Sequence, residues 1–134
     1  MDSHRRYGLP ASERIKSRKD FEQLYTSGKL VFSSDKKLKA IYLVSAAEIP
    51  GVKIAPAVSG KAGNAVWRNR VKRLIKEAYR LNKEILTVPA LQKKILIRVI
   101  FSPGFFNQRN NKWPKFNEVA PGVVEIMSKI KSVL

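Results

Sequence analysis

The chain has 134 residues, enough for one domain with an ordinary core and too few for two of average size. It has no cysteine and one histidine, His4, which excludes a disulfide framework, a thiolate zinc site, a cysteine nucleophile and a histidine-rich metal site, and argues against a Ser-His-Asp triad. Lys and Arg number 27 against 10 acids, a formal charge of +17, yet 44% of residues are hydrophobic; the expectation is a folded domain with a basic surface and a polyanionic partner, nucleic acid or anionic membrane.

Residues 1–17 read as an extended basic arm with Arg5, Arg6, Arg14 and Lys16, in which Pro10 opposes a continuous helix. The arm has no apolar signal-peptide core, and runs such as Ile95-Leu96-Ile97 are too short to cross a bilayer, so the expected compartment is a reducing cytoplasm in contact with nucleic acid. No membrane partner is expected, because the basic helix over 65–85 buries its apolar face within the domain and leaves nothing to insert. Residues 18–134 read as a single domain. Residues 17–25 predict a short helix, capped by Ser17 or Asp20 and ended at Gly28, with Phe21, Leu24 and Tyr25 on one face. Strands are predicted over 29–33, 37–46 and 52–58. Ile49-Pro50-Gly51 turns between the second and third, and Pro56 suits a sheet edge. Trp67, Val71, Leu74, Ile75, Ala78, Leu81 and Ile85 recur at helical spacing and predict a long helix over 65–85, stopped by Pro89. Residues 94–101 are apolar apart from Arg98 and predict a central strand. A loop over 102–115 leads to a final helix over 116–133, whose first turn Pro121-Gly122 disturbs or delays. This order predicts an α+β fold, an α/β sandwich with helices packed on a sheet of about four strands.

The long helix carries the clearest functional signal. Arg68, Lys72, Lys76 and Arg80 repeat at i, i+4, and Arg70 and Arg73 widen the stripe away from Trp67, Val71, Leu74 and Ala78. Like charges at that spacing repel by roughly 0.2–0.5 kcal/mol per pair. Three such pairs in line, with Glu77 as the one acid between Lys61 and Arg80, favour a bound polyanion over a solvated face. Arginine adds a fork that holds phosphate oxygens in pairs. Ser59-Gly60-Lys61-Ala62-Gly63 precedes the helix and reads either as a phosphate-gripping loop or as a tight turn needing a positive φ at Gly60 or Gly63. It is not a Walker A loop.

Ser59-x-Lys61-x-Gly63-Asn64-Ala65-Val66-x-Arg68-Asn69-Arg70-Val71-Lys72-Arg73-Leu74, continuing to Arg80, resembles the Arg-Asn-Arg signature of the bacterial ribonuclease P protein component. Arg18-Lys19-Asp20-Phe21 followed by Tyr25 resembles the family's first-helix pattern, and a weaker similarity extends over residues 9–132. The resemblance implies a sandwich with a left-handed βαβ crossover. It also implies a subunit that joins a catalytic RNA and helps it cut the 5′ leader from precursor tRNA. Hydrolysis would then be carried by RNA and its Mg2+, with no catalytic side chain and no cofactor held by the protein, which alone would be a monomer. Carried over residue by residue, Lys61, Arg68, Asn69, Arg70, Lys72, Arg73 and Lys76 would meet the RNA. Phe21, Tyr25 and Tyr42 would line a cleft for the leader, unless Phe21 and Tyr25 simply pack the first helix on the sheet. The chain departs from the family pattern at Ala55-Pro56-Ala57, at Gly60 and in the length of the 102–114 stretch. The rival is a ribosomal or ribosome-assembly RNA-binding protein; a stand-alone nuclease is opposed by the lack of a general-base histidine and of clustered carboxylates.

Overall fold

The computed structural model describes residues 9–134. Arg5 and Arg6 of the basic arm therefore lie outside the described residues, as does His4. In chain order the elements are α1 (Arg18–Ser27), β1 (Lys29–Phe32), β2 (Leu38–Ala46), β3 (Gly51–Pro56), α2 (Ala65–Asn82), α3 (Glu84–Lys93), β4 (Ile95–Pro103) and α4 (Phe116–Ser132). The four strands form one mixed sheet in the order β1-β2-β4-β3. β1 with β2 and β2 with β4 are antiparallel, while β3 runs parallel to β4, so α2 and α3 form the crossover between parallel neighbours. β4 is central, as its apolar run predicts. β3, with Pro56 at its end, is an edge strand.

Strand alternation assigns the two faces. On one, Leu38, Ala40, Tyr42, Val52, Ile54, Ile97, Val99 and Phe101 meet Trp67, Val71 and Ile75 of α2, Leu86 and Ala90 of α3, and Val119, Val123 and Ile126 of α4. On the other, Ile15, Leu24, Ala55 and Ile100 form a smaller cluster with Phe21, Ile41 and Leu43 packed against it. Burial of α2 follows the helical period, with two differences. Leu81 is 54% exposed, and Tyr79, outside the expected stripe, is fully buried. Burial raises the Tyr79 phenol pKa.

Pro89 does not stop the helical run. α2 ends at Asn82 and α3 begins two residues later, carrying Pro89 inside it. The proline removes one backbone donor. Burial of Leu86, Pro89 and Ala90 holds α3 in place regardless, and its end is closed by Lys94 in the left-handed region, whose N–H donates to the Ala90 carbonyl. Pro121 likewise sits inside α4, which starts at Phe116 without delay. The adjacent Gly122 lets α4 lie close on β2, since a Cβ there would meet Leu38 Cδ1 at 2.9 Å.

Of the arm over 1–17, residues 9–17 lie on the domain. Leu9 belongs to the main core and Ile15 to the smaller cluster; the Ile15 N–H donates to the Ile54 carbonyl at 3.0 Å, beside the outer edge of β3. Ala11–Glu13 makes one turn of 3-10 helix. α1 is capped by Ser17, whose Oγ accepts from the Asp20 N–H at 3.0 Å. It is tied down by Arg98 of β4, 7% exposed, which donates to Asp20 at 2.8 Å and to Gln23 at 2.9 Å. That pairing explains a charge in an otherwise apolar central strand.

Candidate RNA interface

α1 covers only part of the second face of the sheet. Leu30, Ile41, Ile100 and Ala55 lie side by side across β1, β2, β4 and β3. α1 packs over β2 and β4, and its Leu24 and Phe21 join Ile100 and Ala55 in the smaller cluster. Beside it remains an open cleft of about 770 Å³. Its apolar surface comes from Tyr25, Leu30, Ile41, Ala57, Val58 and Phe106, and its polar rim includes Lys39, Lys61, Ser59 and Asn107. Tyr25 is 57% exposed and faces this space. Phe21, one turn earlier, is half-buried against the smaller cluster and anchors α1.

Tyr42 is not in the cleft. It lies opposite Lys29 and Val99 on the core face and is 9% exposed. The neighbouring position, Ile41, faces the cleft. One residue of register separates the two faces of a strand, so the aromatic assignment at Tyr42 fails by a single step.

α2 begins at the cleft. Asn64 caps it, its side chain accepting from the Trp67 N–H at 2.9 Å. Three amides of the loop before it are already bonded: Lys61 N–H to Ser59 Oγ, Ala62 N–H to the Ser59 carbonyl, and Asn64 N–H to Gln108. Neither Gly60 nor Gly63 has a positive φ. Gly63 is small because a Cβ would strike the Trp67 ring at 2.7 Å. The segment is therefore a tight turn under an aromatic ring, and the cation it offers an anion is the exposed Lys61 side chain.

The cationic residues of α2 divide by flank. Arg68, Lys72 and Lys76 follow one side, with Arg14 of the arm close enough to act on Lys76. Desolvation, reinforced by Arg14, Lys72 and Arg73, pushes the Lys76 pKa below the usual lysine value. Asn69 and Arg73 are exposed. Arg70 and Arg73 share the opposite groove with Leu74 and Glu77. Arg70 does not point freely into solvent. Its guanidinium stacks 4.2 Å over the Trp113 ring and its Nε donates to the Pro114 carbonyl at 2.6 Å. Arg80 pairs with Glu77. Among the described residues, no three His, Cys, Asp or Glu side chains gather into a metal site, and no helix is long and apolar enough to cross a membrane.

A profile of the ribonuclease P family matches residues 9–116. The ribonuclease P protein component of Dictyoglomus turgidum is 35% identical over 123 residues, covering 92% of each chain. This chain belongs to the ribonuclease P protein family. A second member, from Alkaliphilus metalliredigens, is 30% identical over 93% of this chain and 99% of its own. The fold is that of solved family members. The Staphylococcus aureus RNase P protein superposes with a TM-score of 0.65 at 22% identity, covering 89% of this chain and 95% of its own. The Thermotoga maritima protein also gives 0.65 at 22% identity, over 87% and 96%. Family membership makes the chain a protein subunit of ribonuclease P, an endoribonuclease of tRNA processing, with an RNA subunit and a tRNA substrate as its partners.

Proposed function

We propose that α2 and the loop before it meet the catalytic RNA and that the neighbouring cleft holds the 5′ leader of precursor tRNA. Lys61, Arg68, Asn69, Arg70, Lys72, Arg73 and Lys76 form the RNA-facing set. Tyr25 offers a ring for a leader base, with Phe21 fixing α1 beneath it. The observation that carries this is the composition of the cleft. An apolar surface topped by an exposed tyrosine and rimmed by Lys39 and Lys61 suits a single strand with its bases turned in and its phosphates at the rim.

Hydrolysis belongs to the catalytic RNA and its Mg2+, and the protein contributes binding. Among the described residues the acids are scattered, which supports this, since the two-metal chemistry of phosphodiester cleavage needs clustered carboxylates when protein side chains carry it. The charge of +17 makes the free chain a monomer that repels its own copies. Its compartment is the cytoplasm. The test is reconstitution with the cognate catalytic RNA and precursor tRNA. The protein stimulates cleavage at low Mg2+, and RNA-free protein cuts nothing. Cleavage at the mature 5′ end by RNA-free protein overturns this assignment.

A further inference from the structure

Residues 104–115 contain no helix or strand, and a stretch of that length inside a small domain calls for a physical reason. It is pinned to the start of α2 at four points. The Gln108 N–H donates to the Ala62 carbonyl at 2.7 Å, and its side chain accepts from the Asn64 N–H at 2.8 Å. The Asn111 carbonyl accepts from the Trp67 indole at 2.8 Å, and the Pro114 carbonyl accepts from Arg70. Phe106 packs against the Trp67 ring, with centroids 5.6 Å apart. These bonds fix the backbone on either side of Arg109 and Lys112, whose side chains are exposed.

The result is a second depression, about 480 Å³, where Arg109 and Lys112 stand around the same space as Lys61. No acid lines it. Among the described residues, none of these three cations is in a salt bridge. Like charges held together by a pinned loop repel until an anion comes between them, and Arg109 adds the fork that grips phosphate oxygens. The depression shares Lys61, Ala62 and Asn107 with the leader cleft, so the two form one continuous track.

We propose that Lys61, Arg109 and Lys112 form a phosphate site for the backbone of the single strand that leaves the cleft, making residues 104–115 a second leader-binding element. This rests on the cleft assignment above. The test uses the reconstituted holoenzyme with wild-type protein, the double variant Arg109→Gln/Lys112→Gln, and Tyr25→Ala. Affinities are measured for precursor tRNA, for mature tRNA and, with each protein, for the catalytic RNA. Both substituted side chains are exposed and neither is in a hydrogen bond to another described residue, so the fold is retained. The double variant should lose about ten-fold in precursor affinity. Its salt slope should become shallower by about 1.4, from two single-strand phosphate contacts. Its affinities for mature tRNA and catalytic RNA should stay unchanged. Unchanged precursor binding overturns the proposal, as does an equal loss for both tRNAs or a loss confined to the catalytic RNA. Failure of the cleft assignment looks different: there the wild-type holoenzyme shows no preference for the leader, and Tyr25→Ala has no effect.

Discussion

The Tyr25 ring stands in solvent over an apolar cleft, while Phe21, on the same helix face, is half out of water. Tyr25→Ala should therefore weaken binding of precursor tRNA by the holoenzyme by about 1–3 kcal/mol, roughly ten-fold or more, and leave mature tRNA binding unchanged. Its melting temperature should hardly move, because the loss of about 3–5 kcal/mol typical of a buried ring requires burial. A large stability loss with equal effects on both tRNAs would place the ring in the core. Lys76 supports a different expectation. The folded state lowers its pKa, so its contribution to stability is full above the unfolded value of 10.5 and is lost as pH falls through the lowered folded value. At pH 7 that penalty is in force. Lys76→Gln should raise the melting temperature of the free protein at pH 7, with the gain shrinking as pH rises through the lowered folded value and gone above 10.5, while weakening its binding to the catalytic RNA. Relief of roughly 0.2–0.5 kcal/mol per like pair sets the scale. A lower melting temperature at pH 7 would contradict the crowding. Arg70 and Arg68 also part company: Arg70→Ala removes the stack on Trp113 and the bond to Pro114 as well as a cation, so Arg68→Ala is the cleaner probe of RNA contact.

At the scale of elements, α2 depends on Asn64, the side chain that receives the Trp67 amide. Asn64→Ala should cost about 1 kcal/mol, measured by urea denaturation, with Asn64→Ser retaining most of it. Equal stability of the two variants would remove the cap from the account. α2 is legible in the sequence because its apolar residues keep a 3.6-residue period over about four turns, and β4 because one buried arginine does not hide an apolar run. α3 is not. Proline signals a stop through its missing donor, and nothing local announces that burial of Leu86, Pro89 and Ala90 outweighs one lost hydrogen bond. Tyr42 failed for the opposite reason: the strand was clear, but its phase rests on which neighbours it pairs with, which is tertiary information. The cleft was half legible. Tyr25 and Lys61 stand in recognisable patterns, whereas Ile41, Val58 and Phe106 are ordinary apolar residues that topology brings together. Nothing local sets Arg109 and Lys112 apart from other loop charges; the pinning of their backbone to α2 is what gathers them.

For the molecule as a whole, the central strand is the last to be made. β4 pairs with β2 on one side and β3 on the other, and until it is present the β1–β2 hairpin and β3 share no ladder. A chain cut after Lys94 keeps α1, α2 and α3 but loses β4 and α4, and with them the ladder that joins the strands and one wall of the core. Thermal and urea melts of residues 1–94 should show no cooperative transition. A sharp transition would mean that the first three strands and helices fold without β4 and α4. In the growing polypeptide the same dependence becomes a matter of timing. At roughly 5–20 residues per second, the stretch from the end of β3 to the end of β4 takes on the order of 2–9 s to emerge. During that interval the nascent chain holds unpaired strand edges behind its densest run of positive charge, a few nanometres from the polyanionic surface of the ribosome that is making it.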